Sequence, residues 1–152
     1  MTIEIYADDL KKNDVLFNQQ FYALSLIAIK DEKVLLLYLE DDKTYSFPQI
    51  AYSRENEQPL ALNSLTRAAG VEPQSLVKSV TVIEHFSKRT YIHHYFKIVS
   101  AIDVFSQLKN VKGKPVWLKD YEALETLGEY HGDDPWGQQK MEREFIALFN
   151  SI

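Results

Sequence analysis

The chain of 152 residues contains no cysteine. Disulfides, thiolate zinc sites and cysteine nucleophiles are therefore excluded. The chain also lacks a basic surplus, since its 17 Lys and Arg residues are outnumbered by 22 Asp and Glu residues and the net charge is -5. Proteins that bind a phosphate backbone normally carry a basic surplus on one face. We therefore expect no nucleic-acid partner.

Long hydrophobic runs are absent as well. The longest apolar run lies around Leu24 to Ile29 and falls well short of the ~20 residues that span a bilayer. The N-terminal residues Met1–Ile5 show no basic stretch followed by an apolar run, so we expect no signal peptide. With 45% hydrophobic residues, the chain can still form a core. These features predict one domain over residues 1–152, a cytoplasmic location and no membrane partner.

Glycine and proline are scarce, at five residues each, so the few that occur mark turns and helix ends clearly. Two apolar runs, Phe21–Ile29 and Val34–Leu39, are joined by a short polar turn and predict a hairpin of two buried strands. A helix is predicted from Pro59 to Ala69, because proline suits a first helical turn and Gly70 suits a left-handed C-cap. The polar segment between, from Tyr52 to Gln58, is predicted to be an exposed loop.

The second half of the chain predicts two more strands and two helices. The strands are Val77–Glu84 and Thr90–Val99, which are rich in β-branched and aromatic residues. One helix is predicted to have Asp120 as its N-cap and to end at Gly128. The other begins near Asp134 and Pro135 and carries an apolar stripe of Met141, Phe145, Leu148 and Phe149. This order predicts an α/β fold, a mixed sheet with helices on either side.

Several local features occur together in one known superfamily. They are the hairpin, Phe47-Pro48, a loop and helix ending in Ala69-Gly70-Val71, the strand Tyr91–Val99, and Val116–Asp120 leading into a helix. With these features the chain resembles the Nudix hydrolases over about residues 21–127, followed by a C-terminal helix at about 134–150. The resemblance implies an α/β/α sandwich. It also implies a motif G-x5-E-x7-R-E-U-x-E-E-x-G-U, with U aliphatic, whose glutamates hold Mg²⁺ or Mn²⁺ against a diphosphate.

Laid on this sequence, the motif is degenerate. Gly70, Val71 and Leu65 match its closing glycine and its aliphatic positions, and Glu55 falls at its first glutamate. The other positions are occupied by different residues. Gln49 replaces the opening glycine, Asn63-Ser64 replace the Arg-Glu pair, and Arg67-Ala68 replace the Glu-Glu pair.

Two functional hypotheses follow. The first is a Nudix-fold protein that is not an active pyrophosphohydrolase and serves as a ligand-binding, partner-binding or regulatory module without a cofactor. Its partner would be a phosphorylated or nucleotide-like small molecule, another protein or a second copy of the chain. The alternative is an Mg²⁺- or Mn²⁺-dependent hydrolase of nucleoside diphosphate-linked compounds that uses the non-standard carboxylates Glu55, Glu57 or Glu84.

The ligand-binding candidates of the first hypothesis are Arg67, Arg54, Ser64 and Tyr38. A guanidinium at Arg67 offers a planar fork of donors that could bind phosphate without metal, helped by Arg54. The competing interpretation of Arg67 is a surface ion pair with Glu55 or Glu57.

The histidines and aromatic residues are ambiguous in sequence. His93 and His94 are neighbours in a predicted strand and must point to opposite faces, so they cannot serve one metal site together. We expect packed or hydrogen-bonded histidines, with His85 on the preceding strand. Most of the aromatic residues Tyr91, Tyr95, Phe96 and Trp117 are expected in the core, and some of them could instead line a pocket that stacks a base.

Overall fold

The structure is a computed structural model that describes residues 1–6, 19–70, 76–86, 88–99 and 112–152. Its eight strands are β1 (Thr2–Tyr6), β2 (Gln19–Lys30), β3 (Lys33–Leu39), β4 (Thr44–Ser46), β5 (Gln49–Tyr52), β6 (Val77–Phe86), β7 (Arg89–Val99) and β8 (Lys114–Lys119). Its α-helices are α1 (Gln58–Ala69), α2 (Asp120–Gly128) and α3 (Pro135–Phe149), and a short 3-10 helix spans Glu55–Glu57.

The strands form one mixed sheet in the order β1-β6-β7-β2-β3-β4, with β5 paired to β2 and β8 paired to β3. Strand β2 is central. It runs parallel to β7 from the pair Gln19↔Arg89 to the pair Ile29↔Val99, and its other edge pairs with β5 and with the start of β3. The predicted hairpin of β2 and β3 is confirmed.

Helices cover both faces of the sheet, which confirms the predicted α/β sandwich. Helix α1 packs Ala61, Leu65 and Ala69 on one face. Helices α2 and α3 pack on the other face, where their buried residues include Leu127 and Leu148. Successive side chains of a strand point to opposite faces of the sheet. Alternate residues of each buried strand therefore pack into two hydrophobic cores, one under α1 and one under α2 and α3.

The residues that mark helix ends act as predicted in α1 and α3. Pro59 lies in the first turn of α1, and Gly70 ends it with a left-handed φ of 71°, a conformation that costs glycine little. Asp134 caps α3 by accepting a hydrogen bond from the Trp136 amide at 3.1 Å. In α2 the predicted cap is off by one residue, since Lys119 is the N-cap and Asp120 is the first helical residue.

Other predictions need correction. The segment Tyr52–Gln58 is not an exposed loop throughout: Tyr52 ends β5 and is buried, a 3-10 turn follows, and Gln58 begins α1. Strands β1 and β5 have only five and four residues, too few for a periodic signal. Phe149, which the sequence places on the apolar stripe of α3, is the last residue of the helix and is 62% exposed.

Among the described residues, no helix is both long enough and apolar enough to cross a membrane.

Candidate functional site

A cleft of about 580 Å³ opens between α3 and the ends of strands β2, β5 and β7. Its lining combines aromatic rings, glutamines and two cationic side chains, and no acidic residue belongs to it in the described part of the chain. The lining residues are Gln19, Gln20, Phe21, Tyr22, Ala23, Gln49, Ala51, Tyr52, Ser53, Tyr91, His93, Lys140 and Arg143. A volume of this size is typical of small-molecule sites.

Aromatic rings form the mouth of the cleft. Phe21 and Tyr91 are register partners on β2 and β7, and their rings stack with centroids 5.1 Å apart. Phe86 meets Tyr91 edge to face at 5.5 Å and contacts Trp136 of α3 at 5.2 Å. These last rings line a smaller adjoining pocket of about 200 Å³ that shares Tyr91, Lys140 and Arg143 with the cleft. A flat ligand would find a continuous apolar surface here.

Beneath the mouth lies a buried ionic network centred on Arg143, which is 8% exposed. Its Nη1 donates to Glu84 Oε1 at 3.0 Å, and its Nε donates to Tyr95 Oη at 3.0 Å and to Glu144 Oε1 at 3.3 Å. The second oxygen of Glu84 accepts a hydrogen bond from Gln139 Nε2 at 3.0 Å. One guanidinium thus faces two buried carboxylates.

Glu144 connects three elements and has no exposed surface. Its Oε2 accepts the backbone N–H of Phe47 at 2.9 Å, between β4 and β5, and its Oε1 accepts the hydroxyl of Tyr95 on β7. Burial and the charge of Glu144 raise the pKa of Tyr95 well above its ordinary value, so this hydroxyl keeps its proton and donates. Glu144 therefore fixes α3 against the sheet at the base of the cleft.

The network fixes the charges at neutral pH. Burial alone would raise the pKa of Glu84, but His93 and Arg143 outweigh burial and lower it to about 2. Burial likewise opposes the charge on Arg143, yet the surrounding Tyr95 and glutamates raise the pKa of this guanidinium. Burial lowers the pKa of His93, and so does Arg143. Glu84 is therefore a carboxylate beside a permanent cation and a neutral imidazole.

Lys140 supplies the second cation of the cleft from the same face of α3. Its Nζ donates to Thr44 Oγ1 at 3.0 Å and lies 3.7 Å from Asp42 Oδ2. Burial lowers the pKa of Lys140, and the charge of Asp42 opposes that effect. Asp42 thus has Thr44 and Lys140 as partners. The acidic run Glu40–Asp42 is accordingly a surface turn whose last carboxylate is paired.

Of the three candidate carboxylates, the structure brings Glu84 alone to this region, where it lines the smaller pocket. Glu55 and Glu57 lie in the 3-10 helix before α1, outside the lining of the cleft. Burial raises the pKa of the lining residue Tyr52 to about 12, and electrostatic interactions with Tyr22 and Glu55 act in the same direction. The three carboxylates do not converge.

The candidate ligand-binding residues lie elsewhere. Arg67 and Ser64 are exposed on α1, on the opposite face of the sheet, and Arg54 is exposed just before the 3-10 helix. Arg67 makes no ion pair within 4.0 Å to any residue that the structure describes, so its predicted pairing with Glu55 or Glu57 is not seen. Arg67 lies in the last turn of α1, where its positive charge interacts favourably with the helix dipole. An anion site at Arg67 stays a prediction.

Tyr38 is half-buried on β3, and its ring contacts Tyr45 with centroids 4.9 Å apart. It is absent from the described lining of the cleft, and its role as a ligand-binding residue also stays a prediction.

The histidines divide between the faces of the sheet, as predicted. His93 points toward α3 and the cleft, whereas His94 Nδ1 lies 2.9 Å from Thr81 Oγ1. His85 stacks on Tyr6 and lies 3.1 Å from Glu4. Across the described ranges, no three His, Asp or Glu side chains are grouped so that they could hold a metal ion. The cleft also lacks the clustered carboxylate oxygens that Mg²⁺ and Mn²⁺ prefer, so its lining does not fit these ions.

Sequence reasoning missed Lys140, Arg143 and Glu144. A signal for Glu144 was present, because it lies three residues after Met141 and four before Leu148, on the apolar stripe of α3. A charged residue at such a position needs a buried partner. For Arg143 and Lys140 no comparable signal exists, since their hydrogen-bond partners outside α3 are 48 to 96 residues away along the chain.

The sequence matches no protein-family model and no curated protein sequence. The fold, in contrast, matches solved structures. An Ap4A hydrolase from C. elegans is similar with a TM-score of 0.52 at 16% identity, over 86% of this chain and 98% of that one. The MutT protein of Bacillus halodurans is similar with a TM-score of 0.53 at 15% identity, over 70% of this chain and 72% of that one. The C-terminal domain of mouse MUTYH, solved in complex with human PCNA, is similar with a TM-score of 0.51 at 19% identity, over 87% of this chain and 91% of that one.

At these identities the similarity establishes the fold alone. The chain has the fold of the Nudix hydrolases, as the sequence resemblance implied.

Proposed function

We propose that this protein is a Nudix-fold binding module whose cleft holds a flat, negatively charged, nucleotide-like small molecule without a divalent cation. The observation that carries the proposal is the charge of the cleft. In a chain of net charge -5, the described lining holds Lys140 and Arg143 and no carboxylate. Such a lining presents the N–H donors of two cations to an anion, although each cation also has a carboxylate partner, and it offers no carboxylate ligand to a hard cation.

The aromatic mouth supports the flat part of the ligand. The stacked rings of Phe21 and Tyr91 present an apolar surface against which a heterocycle can stack. The cations lie on α3, on the same side of the sheet. A molecule with a planar ring and a phosphate would use both features at once.

The composition of α1 supports the loss of hydrolysis. The box positions that need glutamates carry Ser64, Arg67 and Ala68, all exposed side chains without a carboxylate. Of the three candidate carboxylates, Glu84 lines the smaller adjoining pocket and is already bound by Arg143 and Gln139, so a cation there would meet a fixed positive charge. The metal-dependent hydrolase is therefore the weaker alternative.

The proposal is tested with purified protein, Mg²⁺ or Mn²⁺, and the substrates ADP-ribose, nucleoside triphosphates and dinucleotides. We expect no product above the protein-free blank under conditions in which an active Nudix hydrolase, assayed in parallel, converts its substrate fully. Metal-dependent turnover that is lost in Glu55→Gln, Glu57→Gln or Glu84→Gln, but kept in Glu125→Gln at an exposed position of α2, would overturn the proposal in favour of hydrolysis.

A further inference from the structure

The smaller pocket that adjoins the cleft has room for one part of a ligand. Its volume of about 200 Å³ lies below the roughly 300–1,000 Å³ of a complete small-molecule site. The rings of Phe86, Tyr91 and Trp136 line this adjoining pocket, which shares Lys140 and Arg143 with the cleft. A ligand whose anionic group meets these two cations can therefore place its planar ring in the adjoining pocket.

Trp136 is the aromatic residue of the adjoining pocket with the most open surface. It is 60% exposed, whereas Phe86 and Tyr91 are half-buried. Tyr91 already stacks on Phe21 and meets Phe86 edge to face. A heterocycle that enters the pocket therefore finds its stacking surface at Trp136.

Gln139 supplies a polar group of fixed orientation to the same pocket. Its Nε2 donates a hydrogen bond to Glu84 Oε2 at 3.0 Å, and the other oxygen of Glu84 accepts one from Arg143. An ionised carboxylate accepts hydrogen bonds and donates none, so the amide of Gln139 must turn its NH₂ group toward Glu84. The carbonyl oxygen Oε1 of Gln139 is then the atom left for a ligand.

The Oε1 atom of Gln139 is both unpaired and accessible. No described residue donates a hydrogen bond to it, and Gln139 is partly exposed. Oε1 keeps accessible surface, unlike the two ring nitrogens of His93, which are buried. A carbonyl oxygen pairs with an N–H group of a ligand and gains nothing from a ring edge that lacks one.

We infer that the adjoining pocket binds an amino-substituted heterocycle, which donates an N–H group to Gln139 Oε1 while its ring stacks on Trp136. This inference rests on the proposed function, because it concerns the planar part of the same anionic ligand. Gln139 selects the ring by the hydrogen-bonding groups on its edge. Trp136 binds the face of the ring and does not distinguish one edge from another.

The role of Gln139 is tested by calorimetric titration with AMP and with purine riboside 5′-monophosphate, which has the same sugar and phosphate but no amino group. We expect the wild type to bind AMP about tenfold more tightly. Gln139→Leu removes the acceptor and should lose this preference. The matched control is Gln138→Leu, at an exposed neighbouring position that lines a different pocket, and it should keep the preference. Thermal melts verify that the variants fold.

Trp136→Leu separates stacking from recognition of the ring edge. The variant should bind both nucleotides about tenfold more weakly and keep the preference for AMP, because stacking does not depend on the amino group. Wild-type affinity for both nucleotides in this variant would overturn the placement of the ring in the adjoining pocket.

A spectroscopic measurement on the wild type shows whether the ligand reaches Gln139. Glutamine side-chain amides give separate signals in ¹⁵N–¹H correlation spectra, and sequential assignment of α3 identifies those of Gln138 and Gln139. We expect AMP to shift the Gln139 signal and to leave the Gln138 signal unchanged. Ribose 5-phosphate, which has no heterocycle, should shift neither signal. AMP binding that leaves the Gln139 signal unmoved would overturn the inference.

The outcomes distinguish this inference from the proposed function. If AMP and purine riboside 5′-monophosphate bind the wild type equally, the role of Gln139 is wrong while metal-free binding stands. If neither nucleotide binds, the proposed function fails and the inference fails with it. A preference that persists in folded Gln139→Leu assigns the selection to another residue and also overturns the inference. If Gln139→Leu does not fold, the amide signal of the wild type decides.

Discussion

Replacing Glu144 by alanine is expected to lower the free energy of unfolding by about 3–5 kcal/mol. The side chain is completely buried and accepts hydrogen bonds from the Phe47 amide, the Tyr95 hydroxyl and Arg143. Alanine would leave the Phe47 amide and the Tyr95 hydroxyl without their acceptor and the Arg143 charge less compensated. Urea unfolding of the wild type and the variant measures the difference.

The matched control for Glu144→Ala is Glu142→Ala, two residues earlier on α3 and exposed. Its effect should stay within about 0.5 kcal/mol. Glu144→Gln keeps the shape of the side chain and loses its charge, so its loss of unfolding free energy should lie between those of Glu144→Ala and Glu142→Ala. If Glu144→Ala costs less than about 1 kcal/mol, the network does not fix α3 against the sheet as described.

Introducing tryptophan at Ala51 is expected to weaken AMP binding by about 100-fold, because overpacking of a filled site costs up to ~3 kcal/mol. Ala51 lines the cleft, pairs with Ala23 across β5 and β2, and is exposed, so the larger side chain can be accommodated in the free protein. Calorimetric titration of AMP into each protein measures the change in Kd.

The control for Ala51→Trp is Ala68→Trp, which adds the same side chain to an exposed position of α1 on the opposite face. The Kd of Ala68→Trp for AMP should equal that of the wild type. Normal binding in Ala51→Trp together with loss in Ala68→Trp would move the ligand to the degenerate box on α1.

The predictable part of the fold was the part determined by local chemistry. Continuous apolar runs revealed β2 and β3, and Pro59, Gly70 and Asp134 marked helix ends because their backbone preferences do not depend on distant residues. Short strands such as β5 could not be recognised, since four residues give too few alternations and their pairing is set by β2.

The site was less predictable because its parts are distant in sequence. Glu84 was named from the sequence as a carboxylate candidate, but its partner Arg143 follows 59 residues later. The aromatic interpretation of Tyr91 was open between core and pocket, and only the register with Phe21 places it at the mouth of a cleft. Arg67 occupies a position of the degenerate motif on α1, whereas the cleft that contains Lys140 and Arg143 lies against α3 on the other face of the sheet.

The most direct test of metal-free binding is a calorimetric titration of AMP into the wild-type protein at low salt, first in EDTA and then with Mg²⁺. We expect saturable binding in EDTA, an unchanged Kd in Mg²⁺, and weaker binding as salt screens Lys140 and Arg143. Arg67→Glu, which reverses a charge outside the cleft, should bind like the wild type. Binding that appears only with Mg²⁺, or that is lost in Arg67→Glu, would contradict the account.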